Sequence, residues 1–337
     1  MKLSVIIPCR NEVNFIEECI EAVYSNELSE SFELSVIIVD GLSDDGTRDK
    51  INSLKTKFPS LYLVDNTFQL TPYAFNLGIH FKKADYYQIV GARQILDSNY
   101  LAKSISVFEE KPDVWCVGGL VNNVYVNQVG EVISKAMSTT FGMGLGNFRT
   151  LLESNYTDTV GTPMYPSWVF DKIGYFDEEL IRNQDDDYNF RVTKAGGKIW
   201  FESGISLKYY VRGNYTGLYK QFFQYGYWKV YVNKKHKQVT TLRQLVPPLF
   251  VLYLFCIPLS FIINPFLGGI YASGLMFYFI LGLIFALKNA SNFKEFIGVF
   301  KTFPILHYSY GLGYLQGIVH FLLLRKKPSN KQKSLSR

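Results

Sequence analysis

Polarity is divided so unevenly along this chain that one fold type cannot hold all of it. From Leu245 to Leu324 the residues are mostly apolar, whereas the first 240 read as an ordinary mixed α/β protein. Within the apolar part, Leu245–Ile263 and Leu267–Leu287 each come near the roughly 20 residues that cross a bilayer as a helix. Pro247, Pro248, Pro258 and Pro265 interrupt the first. A third stretch, Phe303–Leu324, carries His307, Tyr308, Tyr310, Gln316 and His320.

Charge placement bears on how these segments lie. The formal charge is +6, and basic residues gather just before the apolar region (Lys229, Lys234, Lys235, Lys237, Arg243) and just after it (Arg325, Lys326, Lys327, Lys331, Lys333, Arg337). Such flanks mark a cytoplasmic membrane face. Two spans plus a re-entrant or interfacial third segment keep both clusters on one side; three spans would carry the basic tail across. Acids and bases are mixed in the first part, so no nucleic-acid groove is expected. Cys9, Cys19, Cys116 and Cys256 show neither metal nor disulfide spacing and read as reduced thiols. The start, MKLSVIIPCRNE, has an apolar run of about five residues, short for a signal peptide.

Local patterns in the first part predict alternation of strand and helix. Leu3–Pro8, Leu34–Val39, Leu61–Val64 and Tyr86–Val90 are short apolar strands, and Glu12–Tyr24, Thr47–Phe58 and Thr71–Lys82 have helical spacing. This alternation specifies an α/β fold with a doubly wound, mostly parallel sheet. Such sheets bind ligands at the carboxyl ends of their strands, which brings Pro8–Glu12, Asp40–Gly46 and Gly91–Arg93 around one crevice. Beyond it, the pattern predicts a strand over Val114–Val126, a loop covering the crevice over Ser134–Leu152, a helix over Gln184–Ala195 and a strand over Lys198–Glu202. Gly217–Tyr231 suits an amphipathic helix at a membrane interface.

Three constellations could carry chemistry. Asp40 closes the second strand and Glu12 follows the first; a carboxylate there can accept from a base N–H or a ribose hydroxyl, or can simply serve a turn, as Asp44 and Asp45 would. Asp185, Asp186 and Asp187 open a helix whose dipole eases their repulsion. One could be a general base taking a proton from an acceptor hydroxyl, or the run could be a solvated helix start. In KQFFQYGYWK, residues 220–229, aromatics beside Gln and Lys could stack on sugars and bind a diphosphate, or lie at headgroup level.

The ordered elements LSVIIPCRNE, VDGLSDDGT, RNQDDDYNFR and QFFQYGYWK resemble family 2 glycosyltransferases of the GT-A fold, within them the succinoglycan-biosynthesis ExoA-like branch. That resemblance covers nearly the whole chain. It implies a GT-A catalytic domain over residues 1–240, with an interfacial helix at 215–240, a membrane anchor over 241–325 and a basic tail at 326–337. It places Pro8, Arg10, Glu12, Asp40, Gly41, Ser43 and Gly91 around a nucleotide-sugar, Asp185 as catalytic base with Asp186 beside it, and Gln221, Gln224, Trp228 and Arg212 near acceptor or diphosphate.

The sequence departs from that family at one place. Two metal-holding Asp residues are expected after the fourth strand, and Gly91-Ala92-Arg93 stands there instead. The resemblance implies a divalent ion, magnesium or manganese, and the residues assign none; Arg93 could meet the leaving diphosphate with its guanidinium fork. The expectation is an inverting transferase at the inner membrane, moving a sugar from a nucleotide-sugar, UDP-linked by preference, to a lipid-linked saccharide of an exported polysaccharide. A polyprenyl-phosphate glycosyltransferase and a catalytically dead membrane scaffold are the rival readings.

Overall fold

The computed structural model describes residues 1–125, 127–144, 151, 153–211 and 213–328. They form two compact units, one of Met1–Val124 with Leu151–Tyr210, the other of Tyr125–Thr150 with Val211–Arg337. The boundary expected at residue 240 thus falls inside the second unit.

In the first unit the strands and helices alternate as the apolar pattern requires: β1 (Lys2–Cys9), α1 (Ile16–Tyr24), β2 (Glu33–Asp40), α2 (Thr47–Leu54), β3 (Leu61–Asp65), α3 (Thr71–Phe81) and β4 (Tyr86–Ile89). Strands β3, β2, β1 and β4 are parallel neighbours in that order. Val36–Val39 and Leu3, Val5, Ile6 and Ile7 have no exposed surface, and Ser4 and Ser35 are buried with them, which is why these strands read as mostly apolar runs rather than alternating ones. Each such side chain contributes about 1.5–3 kcal/mol by burial.

The sheet then turns mixed. β5 (Gln94–Leu96), α4 (Tyr100–Glu110) and β6 (Val114–Tyr125) follow, the last crossing into the second unit at its end. The chain leaves the first unit for α5 (Gln128–Met137) and α6 (Thr140–Met143). It returns for β7 (Asn155–Thr157), β8 (Gly161–Pro166), α7 (Ser167–Ile173), α8 (Gln184–Lys194) and β9 (Lys198–Val211). β8 runs antiparallel to β4, with Tyr86 opposite Pro166 and Gln88 opposite Met164, so Gly161 begins beside the carboxyl end of β4. Ser134–Leu152 does not start as a loop: Asn127 and Thr139 cap α5 and α6 by accepting from the Gly130 and Gly142 N–H groups; residues 145–150 and 152 lie outside the described residues. The strand expected to stop at Glu202 runs on to Val211.

The second unit is helical. α9 (Tyr215–His236) leads through a 3-10 turn (Leu242–Leu245) to α10 (Val246–Ile263), α11 (Pro265–Asn289) and α12 (Phe293–Gly317), which ends in a π turn (Ile318–Leu323). Leu242–Ile263 and Pro265–Asn289 are long and apolar enough to cross a membrane. Tyr253 and Tyr271 stack at 5.5 Å and Phe250 and Tyr278 at 4.5 Å, so α10 and α11 pair as an antiparallel hairpin. α9 is not the one-faced interfacial helix that its aromatics suggested. Every residue from Gly226 to Asn233 is buried. The reason is close packing on α12: a Cβ at Gly226 would collide with the Tyr310 carbonyl, and one at Gly313 with the Phe223 carbonyl. Small residues that let two helix backbones touch are the usual device of such pairs.

Candidate active site

The carboxyl edge of the parallel strands is shaped by backbone that few residues adopt. Asn11 follows β1 with φ 55°, Leu42 follows β2 with φ 58°, and Gln69 follows β3 with φ 57°. Thr162 opens β8 at φ 54° and Asn183 precedes α8 at φ 60°. None is glycine, so each costs of order 1–3 kcal/mol, a strain that concentrates at ligand-binding edges.

Asp40, at the end of β2, has no exposed surface. Its carboxylate accepts from the Ser43 N–H at 2.9 Å, from the Ser43 hydroxyl and from Arg48 Nη1 at 2.8 Å. Arg48 also reaches Asp65 at 2.8 Å, tying the ends of β2 and β3. Asp40 and Ser43 therefore order the turn. Across it, Asn11 donates its N–H to the Ser43 hydroxyl at 2.8 Å and its side-chain amide to Asp44 at 2.9 Å. Gly41 lies under the Arg10 side chain, close enough that a Cβ would press on its Cδ. The β1 and β2 turns are thus laced together. Burial pushes the Asp45 carboxyl up, but hydrogen bonds from the Thr47 hydroxyl and from the Thr47 and Val13 N–H groups outweigh this and hold it below the usual carboxylate range.

After β4, Gly91 donates its N–H to Gln94 Oε1 at 2.5 Å and accepts at its carbonyl from the Cys19 thiol at 3.6 Å. This tight turn brings Arg93 back to the β1 loop. Arg93 Nε donates to Glu12 Oε2 at 2.7 Å, and the guanidinium carbon lies 4.7 Å from the centre of the Phe15 ring. The two groups that sequence reading placed around one crevice with separate roles, a nucleotide-binding Glu12 and a catalytic Arg93, are one ion pair.

The acidic run sorts by environment. Asp187 is buried and accepts from Arg191 Nε at 2.9 Å; Arg191 also donates to the Ile173 and Tyr175 carbonyls at 2.9 and 2.8 Å. Asp186 accepts from the Asn183 amide at 3.0 Å and is partly buried. Asp185 is the exposed one, one oxygen accepting from the Asp186 N–H at 2.9 Å. One turn along α8, Asn189 donates to the Thr159 hydroxyl at 3.0 Å, just before β8. Since β8 begins beside the carboxyl end of β4, α8 is anchored at the same sheet edge as the other turns.

Gln221, Gln224 and Trp228 belong to the second unit. Gln221 donates to the Tyr225 hydroxyl at 2.8 Å. Trp228 has no exposed surface and packs on Tyr227, Tyr231 and Phe321, so it lies neither at a headgroup surface nor open to a sugar. Gln224 sits in the middle of α9, partly buried, and Arg212 lies outside the described residues. Pro8 is the last but one residue of β1, opposite Val39. Phe15, Arg48 and Arg191 were missed by sequence reading. Only the i,i+4 spacing of Asp187 and Arg191 could have signalled one of them.

The site does not fit a divalent ion on the pattern that the resemblance implies. No carboxylate ends β4, Glu12 is engaged by Arg93, and Asp97 is engaged by the Ser206 hydroxyl. Among the described residues no three His, Cys, Asp or Glu side chains cluster to hold a metal.

Known proteins of similar sequence and structure agree with this architecture. The family described as Glycosyl transferase family 2 matches residues 4–165. The chain is 30% identical over 232 residues, 66% of its length and 71% of the relative's, to a dolichyl N-acetyl-alpha-D-glucosaminyl phosphate 3-beta-D-2,3-diacetamido-2,3-dideoxy-beta-D-glucuronosyltransferase of Methanococcus voltae. It is 27% identical over 250 residues, 72% of its length and 73% of the relative's, to the succinoglycan biosynthesis protein ExoA of Rhizobium meliloti (strain 1021). A mannosyltransferase of Pyrobaculum calidifontis, solved with GDP-Man and Mn2+, shares the GT-A fold with a TM-score of 0.60 at 14% identity, over 94% of this chain and 86% of that one.

Proposed function

We propose, for a chain that belongs to glycosyl transferase family 2, that it inverts the anomeric carbon of a nucleotide-sugar while extending a lipid-linked saccharide. The observation that carries the reading is the exposure of Asp185 at the start of α8, a helix anchored through Asn189 and Thr159 at the sheet edge where the strand-end turns meet.

The chemistry needs one such group. The acceptor hydroxyl gives its proton to Asp185 as its oxygen bonds to the anomeric carbon. The bond from that carbon to the nucleoside diphosphate breaks on the opposite face, and its electron pair leaves with the diphosphate. A positioned carboxylate contributes about 10²–10⁴-fold to such a step. Arg93 meets the charge gathering on the departing diphosphate, where a guanidinium can supply two parallel hydrogen bonds. Gly91, Ala92 and Arg93 offer no carboxylate to a metal at the end of β4, so in this reading Arg93 carries that charge. Pro8, Arg10, Gly41, Ser43 and Gly91 form the walls of the nucleotide pocket in this reading, with a UDP-linked donor preferred.

Both relatives by sequence favour the acceptor class. One is named for acting on a dolichyl-linked sugar phosphate and the other for succinoglycan biosynthesis. Two helices able to cross a membrane suit an acceptor that stays in one. The reading places the catalytic unit on the cytosolic side of the cytoplasmic membrane.

Membranes carrying the protein, incubated with labelled nucleotide sugars and a lipid extract, test it. Transfer of label from one donor to a lipid-linked saccharide, abolished in Asp185→Asn, is the expected result. Nucleotide binding without transfer would establish a scaffold. Transfer to polyprenyl phosphate that survives Asp185→Asn would establish the rival enzyme, because a phosphate nucleophile needs no strong base.

A further inference from the structure

A lone arginine on a flexible stem is a poor substitute for an ion fixed by ligands, so what holds Arg93 decides what it can do. The structure restrains it on three sides. Glu12 takes Nε at 2.7 Å, Phe15 underlies the guanidinium plane at 4.7 Å, and the Arg93 carbonyl accepts the Tyr210 N–H at 3.1 Å. Each restraint is itself fixed. Glu12 donates its N–H to the Thr47 hydroxyl at 2.9 Å, and its carbonyl caps α1 by accepting from Phe15 and Ile16 at 2.9 and 3.0 Å. Phe15 packs on Tyr210 at 5.1 Å, and the Tyr210 hydroxyl donates to Glu18 at 3.0 Å.

The manner of the Glu12 contact is informative. A guanidinium paired only for stability usually offers a carboxylate two parallel N–H groups. Here Glu12 binds side-on through Nε, and among the described residues no acceptor is bonded to Nη1 or Nη2. The Arg93 side chain keeps 27% of its surface exposed against 13% for Glu12. One edge and one face are therefore used, and the end carrying both Nη groups is left open at the sheet edge where the strand-end turns meet.

We propose that Glu12 and Phe15 are positioning residues that fix Arg93 as the counter-charge for the diphosphate of the donor, in the place of ligands to a metal ion. The proposal rests on the reading of Arg93 given above. It reassigns Glu12 from the nucleotide to the arginine. Preorganisation is what gives such a donor its effect, because a group held in place needs no rearrangement as charge develops.

Turnover and UDP affinity of the full chain in detergent, with EDTA present throughout, provide the test. Arg93→Ala should lower kcat by about 10²–10³-fold, the range for losing one preorganised donor. Glu12→Ala should lower kcat by at least 10-fold, on the order of what one misoriented contact costs, with a smaller change in KM. Glu12→Gln, which still offers an oxygen to Nε, should restore most of that loss. Glu12→Ala combined with Arg93→Ala should be no worse than Arg93→Ala alone, because the two act as a unit. A Phe15→Leu change should also act only while Arg93 is present. Matching melting temperatures establish that the variants fold, since the other bonds of Glu12 are made by its backbone. Additive penalties for Glu12 and Arg93, or a Glu12→Ala enzyme of normal kcat beside a dead Arg93→Ala enzyme, would overturn the positioning role and leave Arg93 standing. Full activity of Arg93→Ala, or activity that requires added magnesium or manganese, would overturn the reading of Arg93 itself.

Discussion

Arg191 and Asp187 lie one helical turn apart on α8 and share an ion pair at 2.9 Å that removes Asp187 from chemistry. The same arginine holds the Ile173 and Tyr175 carbonyls, so it staples α8 to the end of α7. Asp187→Asn should therefore act on stability. Removing one partner of a buried pair costs about 3–5 kcal/mol when the other charge is left uncompensated; Arg191 stays partly exposed, so a smaller loss is expected in a melting experiment. Turnover per folded molecule should be near normal.

Asp185→Asn should behave in the opposite way. Its side chain is exposed, and the group is needed only while the acceptor proton moves. Melting temperature and donor KM should hardly change while kcat falls by about 10²–10⁴-fold. Near-normal kcat would transfer the role to Asp186, whose carboxylate already accepts from the Asn183 amide.

Two carboxylates in the first unit predict acid sensitivity. Burial pushes Glu202 up, but bonds from the Trp200 indole, the Gly204 N–H and the Ser154 hydroxyl prevail and hold it low; Asp45 is held low in the same manner by Thr47 and Val13. A carboxylate whose folded value is depressed stabilises fully above its unfolded value, about 4, and that contribution is lost as pH falls through the lower folded value. Glu202→Gln and Asp45→Asn should lower the melting temperature at neutral pH and flatten its fall below about pH 4. An unchanged acid slope in both variants would show that other groups control it.

The parallel half of the sheet was legible because buried strands leave a plain signal: Leu3–Pro8 and Leu34–Val39 are apolar except for Ser4 and Ser35 and lie within the strands observed. In the antiparallel half only β6 and the first part of β9 were legible. β5, β7 and β8 are three to six residues long and contain polar positions, such as Thr162, whose backbone serves a bend. For the site, the sequence named Glu12, Arg93 and Asp185 but not their relations. Pairing of residues 81 positions apart leaves no periodic trace. The aromatics of α9 misled for another reason: hydropathy records a face suited to apolar surroundings without saying whether lipid or a neighbouring helix supplies them. Here Gly226 and Gly313 show that it is α12.

That helix pair can be tested through its glycines. Any side chain at Gly313 must displace the Phe223 carbonyl, and α9 and α12 cannot separate without opening the packing around Trp228. Gly313→Val should abolish the detergent-stable folded state of the second unit, an outcome in line with severe overpacking, which costs about 1–3 kcal/mol or more. Gly269→Ala serves as control, since a Cβ there meets nothing within 4 Å. Equal protease resistance of both variants would refute the close-packed pair.

The arrangement of the second unit also predicts how the chain enters the membrane. α10 ends at Ile263 and α11 begins at Pro265, so a single residue, Asn264, turns the hairpin, and it caps α11 by accepting from the Phe266 and Leu267 N–H groups. The start of α10 and the end of α11 must then face the same side. α12 does not run along this hairpin to its tip. Its glycine and ring contacts fall at the base: Gly311 on Pro247 and Val251, His307 on Phe250, Phe300 on Gly282 and Phe279. Its end is tied to α9 by a bond from Lys234 Nζ to the Phe321 carbonyl at 2.9 Å. Lys234 and the described basic residues Arg325, Lys326 and Lys327 are therefore neighbours, although 87 positions separate the bonded pair in sequence. In the proposed membrane placement these basic residues belong on one side of the bilayer, the cytosolic side by the usual distribution of Lys and Arg. A cysteine placed at Ile263 should accordingly react with a membrane-impermeant maleimide added outside intact cells. One placed at Lys327 should react only after the membrane is opened. Labelling of the Lys327 position from outside would mean that α12 crosses as a third span and that the contact between Lys234 and Phe321 does not form in the membrane.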